Sequence, residues 1–405
     1  MQLRPLVFLL PAALLALSLT ACRPHDFPQY PANYREFAYV TNGGSGTVSV
    51  FDVVNVRLDR ELAVGPNPVA VAASPTRNEV YVVNEGPLGA PGAQGGQGPL
   101  GAQGWLSVID AASNSVSGSI AVHRQPLAIE VAPDGNLAYV ANSGSNSVSV
   151  VDLQSRREVA LIGTGEEPAA VKLSPDGHTL VVANRRGNSV SIIDPATRQV
   201  RSVFTDCPGA ADIAILPDSS KAFVACSAGH QILSIALAHT PGSSPAKPDP
   251  LPARPDRIEA LLDVGRGPVQ LALKPDGGEL FSLNALSDSI SEVITGTNDV
   301  SGATLMGAGP VRGLVTSDNS LIYVSNQRSQ EVTIYAIDDG KRRGAIHVGD
   351  GPAALAFSTA GHLLLVADSR SNDLAVVRTA SRSLFTLLPT GRNPNAIAVK
   401  SFKLP

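Results

Sequence analysis

A proline returns along this chain at a fixed spacing, and that spacing limits what the chain can fold into more than any other feature. Pro126 and Pro168 lie 42 residues apart, and Pro268, Pro310, Pro352 and Pro394 keep the same period, with Ala210 in the slot between Pro168 and Pro268. Two intervals, Pro68 to Pro126 and Ala210 to Pro268, are 58, so two repeats carry the same 16 extra residues. A period of this size means one supersecondary unit copied into an array. The architecture therefore follows from a single repeat.

Between Pro126 and Gly163 the chain runs Leu127–Val131, a Pro133-Asp134-Gly135-Asn136 turn, Leu137–Asn142, a Ser/Gly/Asn loop, Val148–Asp152 and Glu158–Ile162. Short β-branched runs separated by turn residues predict a four-stranded antiparallel meander. Beyond the N-terminal segment no stretch carries a 3.6-residue apolar period, so helices are not expected. Four-stranded units at this period predict a single closed all-β propeller. The second strands end at Asn42, Asn84, Asn142, Asn184, Cys226, Asn284, Asn326 and Asp368, which counts eight blades; a seven-bladed ring with one displaced repeat is the alternative. The chain starts on a second strand, Phe37–Asn42, and ends on a lone first strand, Asn395–Val399. Pairing those two would close the ring and remove its free edges.

The recurring residues are Gly-x-x-Pro before the first strand, Ser-Pro-Asp-Gly after it (complete at Ser174–Gly177) and a Tyr-Val-x-Asn ending the second, literally Tyr39-Val40-Thr41-Asn42 in the first copy. On these residues the chain resembles the YVTN family of bacterial and archaeal β-propeller repeats over residues 37–399. The resemblance implies a propeller of the cell envelope, in a family close to the propeller lactonases. It names no ligand. The Trp-Asp signature of WD repeats and the Trp-rich docking pattern of quinoprotein propellers are missing from the sequence.

Residues 1–21 have the form of an export signal, with Arg4 ahead of an apolar Leu6–Leu19 that is too short and Pro-interrupted to span a bilayer. The segment ends in Leu19-Thr20-Ala21-Cys22, which resembles a bacterial lipobox. That resemblance implies that Cys22 is lipidated and becomes the mature N-terminus, the membrane contact being the lipid anchor alone. An ordinary signal peptide that contains a Cys is the alternative. Residues 22–36 then form the lipidated Cys and a tether, and 37–405 the propeller. A net charge of −4 gives no support to a nucleic-acid partner, and aromatics at 4 % with one Trp argue against a carbohydrate platform. The remaining cysteines, Cys207 and Cys226, replace the Gly and the Asn of one repeat at the same end of adjacent strands. In an exported chain this predicts a disulfide, against the alternative of two unrelated buried thiols.

The inter-blade connections and the loops after each second strand share one face, where propeller ligands are expected. The first insertion, residues 86–104, falls there and repeats Gly-x-x; it lacks the length and Pro content of collagen and reads as a flexible loop. The second, 240–256, is Pro- and Ser-rich and falls on the opposite face. The loop face also carries Arg124, Arg185, Arg186, Arg266, Arg328, Arg370 and Arg392, facing Glu166, Glu167, Asp288 and Asp350. These read as an anion-binding rim or as ordinary solvated charge. Two residues after the Pro slot most first strands carry Ala, but Asp212, Gln270 and Arg312 break that rule, and Glu130 and Lys172 depart similarly two residues further on. Such groups near the channel either hold a ligand or pair across blades. No metal-ligand spacing, haem motif, serine elbow or phosphate loop is present, so neither a metal nor a cofactor is expected. His123, Arg124 and Glu166 are the candidates for a lactonase-like site. The expected function is a non-catalytic binding or scaffold propeller meeting an envelope protein or a small ligand on its loop face. A channel-mouth hydrolase and polyanion binding by the Arg rim are the two alternatives.

Overall fold

The computed structural model describes residues 28–86, 103–238 and 254–404. Cys22, the export signal and most of both insertions lie outside the described residues. Those that are described form eight sheets of four antiparallel strands, each built from four consecutive strands except the one that joins the chain ends. Its three N-terminal strands, Tyr34–Asn42, Thr47–Asp52 and Arg57–Ala63, are completed by Pro394–Lys403. Ala38 faces Val399 and Tyr39 faces Ala398 across that seam. We number this sheet blade one and the others two to eight in chain order.

The closing strands are longer than the apolar pattern suggested. Pairing starts at Tyr34 opposite Lys403, three residues before Phe37. The polar stretch is held by side chains. Tyr30 stacks on Tyr34 at 4.5 Å, and the buried Glu36 accepts from the Tyr34 hydroxyl (3.0 Å) and from the Thr359 N–H (2.5 Å).

Second and third strands are buried on both faces, as in Leu137–Asn142 and Ser147–Asp152, because each blade packs between two others. Tyr139, Val148 and Val150 of blade three, for example, share one apolar cluster with Val171, Val182 and Ile193 of blade four. This two-sided burial explains the near-continuous Val/Ile/Ala runs. The fourth, outer strands alternate exposed and covered positions, as in Arg157–Gly163. The Ser-Pro-Asp-Gly turn needs its glycine: Gly177 adopts φ +77° while its N–H returns to the Ser174 carbonyl at 2.8 Å.

Two recurring polar devices hold the loop face. The Asn ending a second strand donates to a hydroxyl seven residues on, as Asn142 to Ser149 (2.8 Å), Asn184 to Ser191 (2.9 Å) and Asn326 to Thr333 (2.8 Å). Four residues after that Asn, a residue in the left-handed conformation accepts a backbone N–H from the connection to the next blade. Asn146 takes Glu167 (3.0 Å), Asn188 takes Gly209 (2.9 Å), Asp288 takes Gly309 (2.8 Å) and Asn372 takes Asn393 (2.8 Å). Asn and Asp suit this place because they tolerate positive φ and carry a short acceptor.

Candidate functional site

The first strands ring a central channel, and from the loop face a cavity of about 830 Å³ opens into it. Its wall is largely small and apolar in blades one to four, including Ala70, Ala128, Ala170, Ala396, Val171 and Ile129. The polar exceptions are interspersed on the same ring of first strands, and most of them are already engaged. Lys172 reaches Glu130 of the neighbouring blade at 3.0 Å. Asp212 accepts the Leu271 N–H (2.9 Å) across the blade five–six seam, and Gln270 does the same for Gly313 (2.8 Å) across the next one. Gln270 also donates to the Leu271 carbonyl at 3.0 Å, so its amide is spent as a latch between blades.

Arg312 differs. Its side chain is exposed into the cavity and makes no hydrogen bond or ion pair among the described residues. Enclosure in the wall raises the Asp212 carboxyl above the usual carboxylate range, and the Arg312 charge, the Leu271 and Ile213 N–H groups and Lys172 offset this only in part. Burial opposes the Lys172 charge, but the Glu130 carboxylate and the more distant Asp212 outweigh it, so its pKa ends above that of ordinary lysine.

His230 stands at the mouth of the same cavity and was not singled out among the dispersed histidines of the sequence. It occupies the left-handed latch position of blade five, with φ +59°, and its Nδ1 receives the Gly267 N–H at 3.1 Å. The same Nδ1 also lies 3.1 Å from the Ser227 carbonyl, so the ring sits between its own loop and the blade five–six connection. The signal that could have found it is register: His230 follows Cys226 by four, as Asn146 follows Asn142. Replacing His230 by Asn should keep the latch, whereas His230→Ala should lower unfolding stability by about 1 kcal/mol in urea melts.

The rim arginines are largely paired. Arg185 meets Glu167 (3.4 Å), Arg186 meets Glu166 (3.8 Å), Arg328 meets Asp288 (2.6 Å) and Arg370 meets Asp350 (2.8 Å). Arg328 also donates to the Ala285 carbonyl (3.2 Å) and Arg370 to that of Gln327 (2.5 Å), 43 positions back in each case, which ties adjacent blades. Arg266 donates to the Leu286 carbonyl at 3.3 Å. Arg124 and Arg392 show no carboxylate partner among the described residues.

The sequence-derived catalytic trio does not share a cavity. His123 lies on the outer strand of blade two, Ser115–Arg124, with its Nε2 3.3 Å from Glu158 on the outer strand of blade three. Glu166 instead lines a cleft of about 590 Å³ with Glu85, Glu167 and Arg186, and neither His123 nor Arg124 is in that lining. Cys207 and Cys226 form a disulfide, their Cα atoms 4.8 Å apart, at the place where other blades set an Asn against a hydroxyl. On the opposite face the buried Asp256 carboxylate takes Arg201 in two contacts (2.7 and 2.9 Å) and the Ala238 N–H (2.7 Å), so it clamps the base of the second insertion. Among the described residues no group of three or more His, Cys, Asp or Glu is placed to hold a metal ion.

The family described as Lactonase, 7-bladed beta-propeller, matches residues 101–217 and 265–396, more than half of the sequence. The chain belongs to this lactonase family. Its ring departs from the seven blades in the family's description, since eight sheets are present. No protein with a curated description matches this lactonase-family chain by sequence. Solved structures resemble it in fold. A functionally unknown protein from Desulfotomaculum acetoxidans DSM 771 has 14 % identity over 90 % of this chain and 98 % of its own, with a TM-score of 0.57. A 6-phosphogluconolactonase-like protein from Bacteroides uniformis ATCC 8492 has 16 % identity over 91 % and 100 %, with 0.58. Apo AztD from Citrobacter koseri has 14 % identity over 91 % and 98 %, with 0.62. At such identities the likeness of this lactonase-family propeller to them concerns the fold alone.

Proposed function

We propose that this lactonase-family propeller is a binding module without chemistry of its own, and that its ligand enters the channel rather than resting on the rim. The observation that carries this reading is Arg312, an unpaired cation held in a cavity of about 830 Å³, within the range of small-molecule sites. Its charged neighbours already serve as ties between blades: Glu130 to Lys172, and Asp212 to the Leu271 N–H. The Arg rim is a weaker candidate because four of its seven side chains already face a carboxylate within 4 Å.

The lipobox-like Cys22 supports an exported protein held at the cell envelope. The first described strand runs from Tyr34 on the turn face to Asn42 on the loop face. A lipid on Cys22 would therefore tether the ring by its turn face and present the channel mouth away from the bilayer. No helix among the described residues is long and apolar enough to cross a membrane.

The second reading is a hydrolase. Family membership favours it, and the channel would supply His230 and Asp212 where His123, Arg124 and Glu166 do not converge. A lactone-hydrolysis assay separates the two. The binding reading expects no turnover above the uncatalysed rate across sugar and aliphatic lactones. Turnover abolished by His230→Gln or Asp212→Asn, with the fold intact, would replace it by the hydrolase reading.

A further inference from the structure

If the channel is the binding site, as proposed for this propeller, its charge and surface narrow the kind of ligand it can hold. Five charged side chains line the cavity, Glu130, Lys172, Arg185, Asp212 and Arg312, and Arg185 is turned to Glu167 of the rim at 3.4 Å. Lys172 is spent on Glu130 at 3.0 Å. Asp212 lies near enough to Arg312 for the charges to be felt, but the two form no ion pair. One guanidinium fork is thus left over, in a field of near-balanced charge.

A guanidinium fork matches a planar carboxylate with two parallel N–H bonds. A second negative charge on the ligand would meet Glu130 and Asp212 without a free cation to neutralise it. The alanine methyls of blades one to four offer no polar partner, and Asn395 beside them is already bonded to the Thr41 hydroxyl (2.6 Å) and the Pro68 carbonyl (2.9 Å). Hydroxyls set against these methyls would lose water and gain nothing. Leu286, 59 % exposed and part of the same lining, extends the apolar surface to the mouth.

We propose that the channel takes a small monocarboxylate with an apolar body, its carboxylate on Arg312 and its hydrocarbon against the alanine-lined wall. Polyhydroxylated acids and doubly charged phosphate esters fit this surface poorly.

The test is calorimetric titration of the purified full chain with hexanoate and benzoate, with hexanamide and gluconate as the uncharged and the polyhydroxylated controls. The expected result is binding of both acids, about tenfold or more weaker for hexanamide, with the same loss for hexanoate in Arg312→Gln. Gluconate should bind more weakly than hexanoate. Equal binding of hexanamide, no loss in Arg312→Gln, gluconate binding as tightly as hexanoate, or no binding of either acid would overturn the ligand class. A separate variant, Ala128→Trp, narrows the channel where the hydrocarbon would lie, and its thermal melt reports whether it folds. If it folds and hexanoate still binds at full strength, the channel reading itself fails; if it does not fold, Ala70→Phe serves the same purpose.

Discussion

Replacing Cys207 and Cys226 together by alanine lowers the unfolding free energy of the ring by about 3 kcal/mol. The bridge closes a loop of sequence separation 19 between the blade four–five connection and the end of a second strand. Cutting it returns that loop's entropy to the unfolded chain. Blade five has no substitute for it, because the position seven residues after Cys226 is Leu233 and not a hydroxyl. The variant Cys207→Gly/Cys226→Asn, which copies the residues of other blades, should therefore be worse than the alanine pair. Its buried amide would face Leu233 without the acceptor that Ser149 gives Asn142, an added cost of about 1–3 kcal/mol. Urea melts of the three proteins decide the matter. A double-alanine variant as stable as the parent would show that the bridge constrains nothing.

Blade eight changes the same motif differently and makes stability depend on pH. Asp368 stands where most blades have Asn, with Asp373 opposite it, where four blades carry a hydroxyl, and Ala375 seven residues on. Asp368 is fully buried, and its Oδ2 accepts the Gly349 N–H at 3.0 Å. Burial, then its hydrogen bond with Asp373 and the charges of Asp373 and Asp350, push its pKa up to about 9. The folded chain keeps this proton until about pH 9, whereas the unfolded chain releases it near the ordinary 3.8. Between those values the unfolded state binds fewer protons, so stability falls as pH rises through the window and levels off above it. At neutral pH the accumulated cost is on the order of 4 kcal/mol. Asp368→Asn removes the titration and supplies an amide that donates to Asp373. It should raise the melting temperature at pH 8 by about 4 °C and flatten the pH dependence between 5 and 9. Parallel pH profiles for parent and variant would refute the assignment.

The ring was legible in the sequence because each repeat states its own boundaries. Proline lacks an N–H and fits the start of a first strand, where Pro168 faces Asn184 just before a bulge. In five blades the Asn that ends the second strand has its hydroxyl partner seven residues away, so the signal is local. The channel charges were legible as exceptions to alanine, and their pairing was one of the two readings open. Arg328 and Arg370 were not legible as ties, because their carbonyl partners lie 43 residues back, and a loop arginine looks the same free or bound. His123 was one of the candidates for a lactonase-like site, and it sits on an outer strand against Glu158. The extra residues of the closing strand escaped notice because Tyr34, Arg35 and Glu36 carry no apolar alternation. Their order comes from the last strand, more than 360 positions away.

The central claim is that ligand goes to Arg312 inside the channel, and a crystal structure of the protein soaked in benzoate tests it most directly. The account predicts benzoate with its carboxylate forked on the Arg312 guanidinium and its ring against Ala128 and Ala170. Benzoate on Arg124 or Arg392 at the rim, with the channel holding only solvent, would contradict it.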